Sequence, residues 1–138
     1  MVEVKLTREI AASSDAVWAV LEDFGNLSWI GMADSVEVIG EGIGQIRRIN
    51  MEGMDPIDEK LESMDVGAKT LSYSIVKNQV IPFEDYLAKV RVEGVGDSAT
   101  VYWTSTFDEC DMPAADAQAL IEGSYNMLLD GLTAAASA

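Results

Sequence analysis

The sequence predicts an α+β domain in which seven antiparallel strands, with a short helical pair after the first, are covered on one face by a long C-terminal helix. Three observations carry this. Val2, Val4 and Leu6 alternate with Glu3, Lys5 and Thr7, the two-residue period of a half-buried strand. From Ser35 to Asp108 six further extended stretches follow in series, parted by turn chemistry and uninterrupted by any helical pattern. From Asp111 to Ala135 apolar and small residues recur at helical spacing. Strands with no helix between them join most simply as antiparallel hairpins, and the terminal helix is the element left to hide one face of their sheet.

The elements follow in order. The first strand runs to about Ile10. Ser13 and Ser14 before Asp15 mark a helix start, with Val17, Val20, Leu21 and Phe24 on one stripe, and Gly25-Asn26 ends it. Leu27 to Met32, containing Trp29, is expected to be a second short helix or turn. The six strands are separated at Gly40-Glu41-Gly42, Gly53 to Pro56, Val66-Gly67, Asn78-Gln79 and Gly94 to Asp97.

Side-chain parity selects the covered face. One parity gives Ile43, Gln45, Arg47, Ile49 and Met51, then Ile57, Glu59 and Leu61, then Leu71, Tyr73 and Ile75. The other gives Ile46, Arg48, Asn50, Asp58, Lys60, Glu62, Ser72 and Ser74, a solvated face. Tyr86, Ala88, Val90 and Val92, then Val101, Trp103, Ser105 and Phe107, continue the inward set.

In the terminal helix Asp111 is placed to cap the first turn, where Pro113 is tolerated because its missing N–H would have no partner. The expected buried face is Ala117, Leu120, Ile121, Ser124, Leu128, Gly131 and Leu132. Its centre line of Ala117, Ser124 and Gly131 is small, which lets the helix sit close on the sheet or leaves a cavity beneath it.

Length and charge bound the function. The 138 residues make a single domain, 1–138, and the net charge of −15 with a pI near 4.1 repels phosphate backbones and anionic lipid headgroups. No nucleic-acid or membrane partner is expected. The N-terminus lacks a basic region followed by an apolar one, and the lone Cys110 fits a reducing compartment, so a cytoplasmic location is expected. Nothing in the chain fixes an oligomeric state.

The inward face is apolar except for Gln45, Arg47, Glu59 and Ser105, with hydroxyls on Tyr73 and Tyr86, the composition of a small-molecule site. Arg47 and Glu59 fall on adjacent antiparallel strands with one parity, so they are expected to pair, either as a self-satisfied couple or as one that also touches ligand. A neighbouring cation favours the carboxylate, which makes Glu59 a poor proton donor. The absence of histidine excludes Ser-His and Cys-His nucleophile systems and histidine metal sites. Tyr73 and Tyr86 can donate hydrogen bonds to a ligand carbonyl. Trp29 and Trp103 offer flat aromatic surface, Trp18 lies beside its helix stripe, and Leu120, Ser124 and Leu128 look toward the cavity with Tyr125 at its edge. Methionines 51, 54, 112 and 127 supply adaptable apolar filling.

Other patterns carry no chemistry. Asp108-Glu109-Cys110-Asp111 lacks calcium-loop spacing and a second soft ligand, so no metal is expected. Gly40 to Gly44 precedes a strand instead of opening a helix, unlike a phosphate cradle. No cofactor is expected.

The helix-one phrase Asp15 to Phe24, Trp29, Gly42-Ile43-Gly44-Gln45-Ile46-Arg47, Glu59, Leu61 and Asp65, Tyr73, Pro82, Tyr86 and Val101 to Phe107 together resemble the START-like (SRPBCC) superfamily. This group includes polyketide cyclases and dehydrases, lipid-transport domains and plant pathogenesis-related allergens. The resemblance covers the whole chain and implies the helix-grip fold, a curved sheet gripping the C-terminal helix around a hydrophobic cavity. It implies a ligand that is lipid-, polyketide- or hormone-like. Expected ligand contacts are Trp29, Arg47, Glu59, Tyr73, Tyr86, Trp103, Leu120, Ser124 and Leu128. Whether the chain is an enzyme stays open. A cyclase or dehydratase would use the same cavity, and a protein-interaction module would use the acidic outer face.

Overall fold

The computed structural model describes residues 2–29, 35–50, 52–53, 55–76, 83–109 and 112–137. Its elements are β1 (Val2–Ile10), α1 (Ser14–Glu22), β2 (Ser35–Ile39), β3 (Ile46–Asn50), β4 (Ile57–Asp65), β5 (Thr70–Ile75), β6 (Phe83–Glu93), β7 (Ala99–Glu109) and α2 (Ala114–Ala136). The expected strands, first helix and long closing helix are all present in the expected order. Met51, Met54, Asn78, Gln79, Pro82, Cys110 and Asp111 lie outside the described residues.

β2 to β7 form an antiparallel meander, and β1 joins it beside β7, giving the seven-stranded order β1-β7-β6-β5-β4-β3-β2. This is the helix-grip arrangement. The Ser13 hydroxyl accepts from the Ala16 amide at 3.1 Å and caps α1, which buries Val17, Trp18 and Leu21. Trp18 is therefore core. The second member of the expected helical pair begins as a turn at Ser28 and Trp29, and residues 30–32 lie outside the described set.

Two bulges hold the inward parity of the sheet. In β4 the register shifts between Leu61 and Ser63, so Glu62 is the extra residue, and its carboxylate accepts from Ser74 at 2.7 Å on the outer face. In β6 the shift falls between Glu84 and Leu87, where Asp85 takes φ of 52° and two residues oppose one on β7. That kink turns Tyr86 inward against the Phe107 ring, at 5.7 Å between centroids.

Parity fails in three places. Ile43 is 60% exposed and Gln45 folds back on the Gly42 carbonyl at 3.0 Å. Both precede β3, which starts only at Ile46, so neither takes part in the inward alternation. Ser72, expected on the solvated face, is buried with its hydroxyl against that of Ser63.

α2 starts later than expected. Pro113 is its N-cap, with no side-chain cap bond, and its carbonyl accepts from the Asp116 and Ala117 amides at 3.0 Å each. Proline disfavours helical geometry in the residue before it, which keeps Met112 out of the first turn. The buried stripe is Ala117, Ile121, Tyr125, Leu129 and Leu132. It runs about one residue round from the predicted centre line, because the large Tyr125 ring takes the inward position. α2 packs on β1, β7 and α1, and among the described residues its backbone does not approach β2 to β6.

Candidate ligand-binding site

Between α2 and the inner face of β3 to β5 lies a cavity of about 120 Å³. The sheet supplies Arg47 and Ile49 from β3, Ile57 and Glu59 from β4, Tyr73 and Ile75 from β5, Tyr86 from β6 and Trp103 from β7. Leu27 and Trp29 wall it from the turn after α1, and Ile121, Ser124, Tyr125 and Leu128 from α2.

Its first polar group is the Arg47–Glu59 pair. The two residues stand directly opposite in the β3–β4 register, and Arg47 Nε donates to Glu59 Oε1 at 2.7 Å. Arg47 Nη1 donates to the Phe24 carbonyl at 2.9 Å, and the guanidinium lies 4.0 Å from the Phe24 ring centre and 5.0 Å from that of Tyr73. The side chains are 9% and 13% exposed, so each charge is compensated by the other in a largely dry setting. The pair balances its own charge and also forms part of the cavity wall.

The second polar group is a set of hydroxyls. The Trp103 indole N–H donates to the Tyr73 oxygen at 3.2 Å, and the Tyr86 and Tyr125 hydroxyls are hydrogen-bonded to each other. Burial pushes the Tyr73 and Tyr86 phenols well above their ordinary value and raises Tyr125 also, and the Glu59 carboxylate acts in the same direction on all three. They are neutral donors, not bases. The Ser105 and Tyr86 hydroxyls act against burial at Tyr125, yet Ser105 Oγ makes no hydrogen bond of normal geometry.

Eight of the nine expected contacts line the cavity: Trp29, Arg47, Glu59, Tyr73, Tyr86, Trp103, Ser124 and Leu128. Leu120 does not. It is 49% exposed, one position from Ile121 and therefore about 100° round the helix from the buried stripe. Tyr125, expected at the edge, is 2% exposed and central. Its signal was the four-residue spacing from Ile121, which the small-residue line of Ser124 and Gly131 obscured. Gly131 has a different use, because a Cβ there would come within 2.6 Å of the Trp29 carbonyl oxygen. Its bareness lets Trp29 seat against α2, with the indole N–H donating to the Asn26 carbonyl at 3.0 Å.

The family model for polyketide cyclase / dehydrase and lipid transport proteins matches residues 1–137. The chain belongs to this family. Comparison with curated proteins gives no significant match. Among solved structures, this family member is similar to XoxI from Bacillus cereus, at 27% identity and a TM-score of 0.87, covering 98% of this chain and 95% of that one. It is also similar to the ZhuI aromatase/cyclase from Streptomyces sp. R1128, at 19% identity and TM-score 0.79 over 98% and 93% of the two chains. Norcoclaurine synthase from Thalictrum flavum, solved with dopamine and hydroxybenzaldehyde, matches at 18% identity and TM-score 0.73 over 95% and 83%. At the last two identities the likeness is one of fold.

Proposed function

We propose that this protein binds a hydrophobic or aromatic small molecule in the cavity between α2 and β3 to β5. The observation that carries the reading is the cavity itself: apolar and aromatic walls with a few convergent polar groups, the composition of a small-molecule site. Volume bounds the ligand. An engineered apolar cavity of about 150 Å³ in another protein accepts benzene, so about 120 Å³ suits one ring or a short branched chain. A larger lipid- or polyketide-like ligand requires Trp29 or α2 to move outward. Arg47, Glu59 and Tyr73 define the polar end, and Trp103 gives a flat wall. A family relationship that includes cyclases supports the same pocket, but its ionisable groups are a neutralised pair and three neutral phenols, which suit holding a molecule better than moving its protons.

Native mass spectrometry of gently purified protein, set beside the same sample denatured, tests the reading. A reproducible mass excess lost on denaturation is expected and would identify the ligand class. A chain that carries no adduct and also fails to take up small aromatic probes would contradict it.

A further inference from the structure

The hydroxyls of the cavity form donor chains that the protein does not complete. Tyr73 accepts from the Trp103 indole, so its own proton is directed elsewhere, and among the described residues nothing is found to accept it. Tyr86 and Tyr125 hold two protons and share one bond between their hydroxyls. Ser105 does not absorb the surplus, since its Oγ makes no hydrogen bond of normal geometry with either phenol. Two phenol protons are thus offered where both tyrosine groups line the cavity.

Charge narrows what can receive them. Arg47 is the single cation among the described lining residues, and it is bound to Glu59, to the Phe24 carbonyl and against two aromatic rings. An anionic ligand would therefore add a second negative charge beside a cation that Glu59 already neutralises, and would lie within the field of Glu59. A ketone, aldehyde or ester oxygen has two lone pairs and no charge, and matches both demands.

Building on the ligand-binding reading above, we infer that the cavity selects an uncharged molecule whose carbonyl oxygen is received by the hydroxyls of Tyr73 and of the Tyr86–Tyr125 pair, and rejects the equivalent carboxylate. Acetophenone, cumene and benzoate have similar outlines and present a neutral carbonyl, no polar atom and a carboxylate. Their binding at pH 7 is measured by ligand-observed NMR titration of the wild type, Tyr73→Phe and the double variant Tyr86→Phe/Tyr125→Phe, with thermal melts confirming that each variant folds. Acetophenone is expected to bind at least roughly tenfold more tightly than benzoate, the cost of an unpaired buried charge. Each variant should weaken acetophenone about fivefold, the equivalent of one neutral hydrogen bond of about 1 kcal/mol, and leave cumene unchanged. Benzoate binding as tightly as acetophenone, or variants that shift cumene and acetophenone alike, would overturn the inference and leave the cavity reading standing. Failure of both cumene and acetophenone to bind the wild type would overturn both.

Discussion

Over β1 and β7 the sheet meets α2 directly, and Val4, Val101, Ala117, Leu129 and Leu132 are all within 1% of complete burial. Over β3 to β5 the helix backbone stands away, and the space is filled by Arg47, Glu59, three phenols and a cavity of about 120 Å³. One sheet thus carries two interiors, a close-packed apolar one that holds the fold and a polar, underfilled one that can hold something else. The contrast teaches that the long helix is seated along one side of the sheet and does not cover it uniformly.

The largest effect should come from breaking the underfilled half's charge balance. Arg47→Ala leaves the Glu59 carboxylate buried without its partner and is expected to cost about 3–5 kcal/mol in chemical denaturation, whereas Arg47→Met with Glu59→Leu should recover most of that. Equal losses in the single and double variants would show that the pair does not act as a unit. Next comes truncation in each half. Leu129→Ala should cost about 2–5 kcal/mol in the close-packed half, and Ile75→Ala, which enlarges an existing space, less than about 2 kcal/mol. A reversed order would erase the distinction between the halves.

A smaller contrast separates two glycines of α2. Gly131→Ala drives a Cβ into the Trp29 backbone and should destabilise by about 1–3 kcal/mol with a change in tryptophan fluorescence. At Gly123 a Cβ meets nothing within 4 Å, so Gly123→Ala should stabilise by about 0.5–1 kcal/mol. Thermal melts that give both the same sign would contradict the close seat of Trp29.

At neutral pH the phenols have the least effect. Tyr73, Tyr86 and Tyr125 stay neutral in the folded chain beyond the point at which they ionise when unfolded. Their contribution is full below about pH 10 and is lost as pH rises through the higher folded values. Stability should be flat in this respect up to about pH 10 and fall above it. Tyr86→Phe should reduce that alkaline loss, and an unaltered profile would remove Tyr86 from the account.

Much of this was legible from residue order. Alternation at Val2, Val4 and Leu6, the turn residues between strands, and the matching parity of Arg47 and Glu59 place every strand and the buried ion pair, because a two-residue period leaves little freedom about which face a side chain takes. The rotation of α2 was less legible. Its inward and outward faces differ by single positions, so Leu120 and Ile121 carry almost the same sequence signal but opposite environments, and the packing of Tyr125 on Trp103 with its hydroxyl bonded to that of Tyr86 decides between them. Ile43 and Gln45 were misplaced for a different reason: Gly42 and Gly44 take φ of 66° and 94°, so the two-residue alternation breaks there even though the Gly44 N–H and the Gln45 carbonyl still bond to Leu61. Leu27 lies in a turn and had no periodic signal. The cavity volume depends on how far a helix stands from a sheet, a distance that no residue type encodes.

The central claim is that the space beneath α2 is where the ligand sits. Ser124→Phe places a ring into that space from the helix side. Acetophenone titrated into wild type and Ser124→Phe, followed by amide and indole NMR shifts, should saturate in the wild type with the largest changes at Trp103 and Tyr125. The variant, folded and with an undiminished melting temperature, should show none of these changes. Binding that survives unchanged in Ser124→Phe, or shifts confined to the outer face of the sheet, would contradict the account.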